Sequence, residues 1–216
     1  QFSEEGYHTL SLNWEGYLKV WNVQLGEEIL TIEDDEVEAA RLSPLSNYVY
    51  LRTYNSQLKV YDAMTGELDQ TLHPFTQSVD EVAISSDGAL GMTLADMKTA
   101  IVWDMQSKEK QFTFDHIDHV NETVFSPDNQ TLATAGISAH LYDLQSGEEL
   151  HTFEHNGEVL SVDFSSDGAY LLTTSEDNTA KIWDAHNGQE LKVFDHDSSV
   201  ADAVFSADDS KILSGS

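Results

Sequence analysis

The sequence contains no cysteine, three prolines and ten lysines plus arginines among 216 residues. Without cysteine there are no disulfides, no thiolate metal sites and no cysteine nucleophile, and the compartment stays open. No apolar run approaches the ~20 residues a membrane-spanning helix needs, and no succession of charged, apolar and small residues resembling a signal peptide stands at Gln1. Basic residues are outnumbered by 39 aspartates and glutamates, which leaves a formal charge of −29. Such a field repels phosphate backbones and anionic lipid surfaces, so neither nucleic acid nor membrane insertion is expected. It suits solubility in a salty environment, or attraction of a basic protein or of cations. No stretch reads as a helix, a proline-rich linker or a low-complexity tail.

What is present is repetition. An aromatic, nearly always followed by Asp, returns at Trp21, Tyr61, Trp103, Tyr142 and Trp183, at intervals of 40, 42, 39 and 41 residues. A second marker, an apolar residue followed by Ser, returns at Phe2, Leu42, Ile84, Phe125, Phe164 and Phe205 with the same period. Polar turn residues follow each marker, as in Glu5-Gly6, Ser46-Asn47, Asp87-Gly88, Asp128-Asn129, Asp167-Gly168 and Asp208-Asp209.

Four alternating apolar runs lie in each period. In the unit from 159 they predict strands at Val159 to Ser165, Ala169 to Ser175, Thr179 to Ala185 and Gln189 to Phe194. The third strand recurs at Tyr17 to Val23, Gln57 to Ala63, Thr99 to Met105 and Ser138 to Leu144. Apolar groups on both faces imply a sheet covered on both sides. The turn after it carries Gly26, Gly66, Gly147 and Gly188, which supply a positive φ, whereas Ser107-Lys108-Glu109 predicts a turn of another type or a slightly strained one. A period near 40 with four short strands predicts an all-β propeller of four-stranded antiparallel blades. The expected units are 1–36, 37–78, 79–119, 120–158 and 159–199, with a partial unit at 200–216.

The run from Asp177 through Trp183 to Asp184, preceded by Phe164-Ser165-Ser166-Asp167-Gly168, resembles the WD-repeat, or beta-transducin repeat, family. The resemblance covers essentially the whole chain. It implies a protein-interaction scaffold and, because seven blades are usual in the family, a ring of which this sequence supplies five periods and part of a sixth. It also implies a buried network, here His155, Thr173 or Ser175, Asp177 and Trp183, complete in this unit alone. Elsewhere Glu15, Asn55, Met97 and Gly136 occupy the Asp position, and those blades are expected to rely on packing.

Asp115-His116-Ile117-Asp118-His119 and Asp195-His196-Asp197 carry donors that suit zinc or manganese. His116 and His196 stand where the resemblance places a structural His, so no metal and no cofactor are expected. No HExxH, Walker A, GxSxG or dinucleotide glycine pattern occurs. A channel-centred hydrolase or quinone-dependent oxidoreductase stays open as the enzymatic alternative, and an architectural subunit of a multiprotein complex as the third reading. The leading expectation is a non-catalytic scaffold for a protein or peptide, with a basic partner suited to the charge. Its binding residues are Trp14 and Tyr54 in second-to-third turns and Phe75 in an inserted connection, ringed by Glu15, Asp34, Asp35 and Glu36.

Overall fold

The computed structural model describes residues 7–13, 16–43, 48–55, 57–72 and 79–216, excepting the side chains of Gln70 and Leu72. Trp14, Glu15 and Phe75 lie outside the described residues, as do Phe2, Glu5-Gly6 and Ser46-Asn47. The chain divides into two compact units, Gln1–Thr113 and Phe114–Ser216.

The first unit contains β1 (His8–Leu12), β2 (Tyr17–Asn22) and β3 (Glu27–Glu33), then β4 (Val37–Leu42), β5 (Tyr48–Thr53), β6 (Leu58–Asp62) and β7 (Leu68–Leu72). It continues with β8 (Val79–Ile84), β9 (Leu90–Ala95) and β10 (Thr99–Asp104), and the division falls inside β11 (Lys110–Asp115). The second unit contains β12 (Glu122–Phe125), β13 (Thr131–Ala135), β14 (Ala139–Asp143) and β15 (Glu149–Phe153). After these come β16 (Val159–Phe164), β17 (Tyr170–Ser175), β18 (Thr179–Asp184) and β19 (Glu190–Asp195), and finally β20 (Asp202–Phe205) and β21 (Ile212–Gly215). Strands pair with their sequence neighbours, antiparallel wherever a register is resolved, which is the meander of a propeller blade. The described residues contain no helix.

Both sequence markers have a local cause. The carboxylate after four of the five aromatics builds the turn that follows: Asp104 Oδ1 accepts the N–H groups of Gln106 and Ser107 at 2.9 and 2.6 Å, and Asp62, Asp143 and Asp184 do the same, while after Trp21 the Asn22 amide oxygen accepts the Leu25 N–H. Those N–H groups, the first of them from Ser107, hold the Asp104 carboxyl below the usual carboxylate range. The serine marker closes the other turn, since Ser85, Ser126, Ser165 and Ser206 each donate to the Asp two residues on and accept from the N–H five residues on. A register shift precedes the aromatic in four third-to-fourth strand pairs, at Val20/Trp21, Val60/Tyr61, Leu141/Tyr142 and Ile182/Trp183. This recurring bulge increases twist where the strand meets its turn.

The Lys108 turn is of the same type as the others, and strained. Lys108 N–H donates to Asp104 C=O at 2.9 Å, as Gly147 does to Asp143, and its φ is 65°. A side chain in the left-handed region costs about 1–2 kcal/mol, part of which a glycine returns through its more disordered unfolded state. Its ion pair with Asp69, 3.8 Å apart and exposed, offsets little of that. Lys108→Gly is therefore expected to raise stability by about 0.5–1 kcal/mol in urea unfolding.

Packing follows the two-faced pattern. Leu18, Val20, Leu58, Val60, Ala100, Val102, Ala139, Leu141 and Ala180 are buried on one face of the third strands, and Tyr61, Tyr142 and Trp183 are buried on the other. In the second unit, Leu141, Phe153 and Ala133 pack with Val159, Val162, Leu171 and Trp183, joining neighbouring sheets through their faces.

Candidate functional site

Three sites differ in how they satisfy the same buried position. In the β16–β19 sheet the polar network is complete. His155 Nε2 lies 2.7 Å from Thr173 Oγ1, its Nδ1 lies 3.1 Å from Asp177 Oδ2, and the Trp183 indole N–H donates to Thr173 Oγ1 at 2.8 Å. Asp177 also accepts from Asn156 N–H and from the Thr179 hydroxyl, at 2.8 and 2.6 Å. Burial opposes its charge, but these donors and His155 bring its pKa down to about 2. Ser175 Oγ accepts the Asp177 N–H at 3.0 Å and shapes the turn. All five residues named from the sequence are thus within one bonded cluster.

In the β4–β7 sheet a different network occupies the equivalent place. Asp34 is 7% exposed and receives Lys59 Nζ at 2.7 Å, the Tyr61 hydroxyl at 2.9 Å and Glu36 N–H at 3.0 Å. Burial opposes the Asp34 charge, yet Lys59 and the other donors hold its carboxyl below the usual range. Burial and the Asp34 bond push the Tyr61 phenol up to about 12. Two expectations change here: Asp34 serves the blade from within instead of ringing a surface patch, and this blade does not rely on packing alone. Asp35 and Glu36 are exposed beside it. Tyr54, 72% exposed, is tied to them by its N–H to Glu36 C=O at 2.9 Å, and Asn55 Nδ2 reaches Glu36 Oε1 at 3.1 Å.

The β12–β15 sheet has neither network. Thr134 faces His140 across six positions, whereas Ser11 faces Lys19, Leu51 faces Lys59, Thr93 faces Ile101 and Thr173 faces Lys181 across eight. The β13–β14 turn is two residues shorter, so it lacks the Asp position altogether, and Gly136 does not stand in for it. With Tyr142 in place of a tryptophan there is also no indole N–H for Thr134. Both Thr134 Oγ1 and His116 Nε2 are buried without a partner. The shortfall leaves a cavity of about 310 Å³ lined by Asp115, His116, Ile137, His140, Tyr142 and Glu149, among others. Sequence reasoning did not single out His140 or Glu149, although the repeat alignment puts Lys19, Lys59 and Lys181 at the position of His140.

Burial, and then the neighbouring His140, lower the His116 pKa to about 4, while Glu149 and Asp115 act weakly the other way. A His that is neutral in the fold and titrates near 6.5 when unfolded contributes stability above pH 6.5, and that contribution is lost as pH falls toward 4. The stability difference between the natural chain and His116→Gln should shift against the natural chain between pH 7 and 4.5. The shift is on the order of 1–2 kcal/mol after allowance for solvent screening. Urea unfolding of both proteins at each pH measures it, since the difference cancels the effect of titrating the acidic surface.

His196 Nε2 lies 3.1 Å from Ser214 Oγ. Among the described residues no group of three or more His, Asp or Glu side chains is placed to hold a metal ion.

The family model for the WD domain, G-beta repeat, matches residues 147–184, the segment that holds the complete network. Residues 147–184 are therefore a WD repeat, and the four-stranded antiparallel sheets of the chain are those of a WD-repeat β-propeller. The chain is also similar to the small ribosomal subunit protein RACK1 of Drosophila melanogaster, 28% identical over 117 residues that cover 51% of this chain. The match spans 37% of that relative's length. The matched WD repeat carries the His–Thr–Trp cluster of the β16–β19 sheet, and the sheets of the other units vary the buried group.

Proposed function

We propose that this WD-repeat chain is a non-catalytic scaffold that binds a basic protein or peptide. One observation carries the reading: Tyr54, an exposed aromatic, has its backbone N–H bonded to Glu36 C=O of an acidic turn, which sets anchor and charge side by side. An aromatic ring offers contact area at little entropic cost, and the exposed Asp35 beside it favours lysine or arginine, while Glu36 shares its carboxylate with Lys59 Nζ at 2.9 Å. Asp34 and Lys59 support the turn from below. Trp14, Glu15 and Phe75 belong to the same proposal on their sequence positions. The formal charge of −29 accelerates encounter with a cationic partner and disfavours nucleic acid. A place within a multiprotein complex is compatible with this reading and is supported by the Drosophila relative, which is named as a ribosomal subunit protein.

Calorimetric titration with a synthetic peptide amide of lysine, arginine and glycine around one leucine tests the proposal. Tyr54→Ala should weaken binding by about tenfold or more, as loss of an interfacial aromatic commonly does. Trp14→Ala should act in the same direction. Equal affinity in the natural chain and both variants would remove this platform from the account.

A further inference from the structure

The repeat itself contains a pattern for cation binding. In the first sheet Glu28 divides its oxygens: Oε1 accepts the Thr31 hydroxyl at 2.7 Å and Oε2 accepts Lys19 Nζ at 2.5 Å. That ammonium lies 5.5 Å from the centre of the Trp21 ring. In the β16–β19 sheet Lys181 Nζ lies 2.9 Å from Glu190 Oε2, 3.2 Å from Glu154 C=O and 5.1 Å from the Trp183 ring centre. In both, a carboxylate one strand over and an aromatic two residues on hold a lysine head between them.

The β12–β15 sheet repeats all of this except the lysine. Glu149 stands in the register of Glu28 and Glu190, paired with Tyr142 as those pair with Trp21 and Trp183. Its Oε1 accepts the Thr152 hydroxyl at 2.5 Å and lies 3.2 Å from His140 Nδ1. Its Oε2 accepts from no described residue. The Thr152 bond, and then His140, hold this carboxyl below the usual range, so it is ionised at neutral pH. Where the lysine would lie is His140, whose ring is 6.1 Å from that of Tyr142 at an interplanar angle of 22°. His140 is shorter than lysine, and the clipped β13–β14 turn does not fill the space left. The cavity therefore opens beside an unfilled carboxylate oxygen and an aromatic ring, with Asp115 and Asp118 among its lining residues and the exposed Ile117 and Ile137 at its margin.

We propose that this cavity receives the side-chain ammonium of a lysine presented by a partner peptide, seated on Glu149 Oε2 beside the His140 and Tyr142 rings that line it. The partner supplies in trans the cation that Lys19 and Lys181 supply in cis. Ile117, 95% exposed, and Ile137, 58% exposed, offer apolar contact to the residues flanking that lysine. The inference rests on the scaffold reading but concerns a blade other than the Tyr54 platform.

The test is ¹H–¹⁵N chemical-shift titration of the 216-residue chain with acetyl-Gly-Ser-Gly-Lys-Gly-Ser-Gly-amide and with its Nε-acetyl-lysine counterpart. The lysine peptide should shift Gly136, His140 and Glu149, and lysine acetylation should weaken the response about tenfold or more, because it removes the charge. Glu149→Gln, which changes one atom of the carboxylate, should weaken it by a similar factor. His140→Lys should abolish it, since the chain's own ammonium then occupies the site as Lys181 does. Equal shifts from the acetylated peptide, undiminished binding by His140→Lys or Glu149→Gln, or no shift at these residues would each overturn the proposal. Tyr54→Ala should leave this response intact, so a failure of the Tyr54 platform and a failure of this cavity give different results.

Discussion

Thr173→Val should destabilise the chain by about 2–4 kcal/mol, lowering the thermal midpoint by roughly 6–12 °C. The substitution keeps the volume and shape of the side chain and removes one oxygen. That oxygen is fully buried and lies at the junction of the network, accepting the Trp183 indole N–H at 2.8 Å and facing His155 Nε2 at 2.7 Å. Valine leaves both ring nitrogens buried without a partner, and each such group costs about 1–3 kcal/mol. The equivalent change in the neighbouring sheet should have the opposite sign. Thr134 Oγ1 is buried with no partner, so Thr134→Val should be neutral or stabilising by about 1 kcal/mol, as removal of an unsatisfied buried hydroxyl predicts. Urea unfolding of the two variants provides a matched pair, and similar losses in both would mean that volume, not hydrogen bonding, dominates at this position.

Gly16→Ala should cost about 2–5 kcal/mol, from a left-handed backbone and a collision together. Gly16 has a φ of 82° in the turn between β1 and β2. A methyl group there would strike the carbonyl of Asp34, with the carbonyl carbon at 2.9 Å and Asp35 Cα at 3.0 Å. These are backbone atoms of the acidic turn, which is itself tied to Gly16 by Asp34 N–H to Gly16 C=O at 3.0 Å. Gly26→Ala is the control, because Gly26 has a φ of 66° with open space around it and should lose only about 1–2 kcal/mol for the backbone conformation. Binding of the basic peptide by Gly16→Ala should fall as well, since displacing residues 34–35 moves the ground on which Tyr54 stands.

The strands were legible because their cause is local. Period-two apolar patterning predicts Thr179 to Ala185 and Ala169 to Ser175, and the observed strands are Thr179–Asp184 and Tyr170–Ser175. The turns were equally accessible, as the Asp after the aromatic and the Ser after the apolar marker act within five residues. The Lys108 turn shows the limit of that reading: sequence left its type open, and the backbone keeps the common turn at the expense of strain.

The buried groups were harder to read because each depends on strands far apart in sequence. Asp34 looked like a surface acid among other acids, and only Lys59 and Tyr61, 25 and 27 residues away, reveal it as an internal one. In the β13–β14 turn the shortening was visible as an interval of 39 residues between Trp103 and Tyr142. Its consequence was not, since it depends on which oxygen of Glu149 Thr152 engages. Departure from the repeat was the useful signal throughout, because a buried position that loses its usual partner must find another or leave a space.

Hydrogen exchange of the 216-residue chain, with and without a saturating basic peptide that carries lysines around a leucine, tests the central claim most directly. Binding by the two proposed surfaces predicts slowed exchange at residues 34–36 and 54–55 and at residues 136–140. Exchange through the β16–β19 network, already fully bonded, should be unchanged. No slowing at either surface, or slowing confined to strand edges such as β21, would contradict the account.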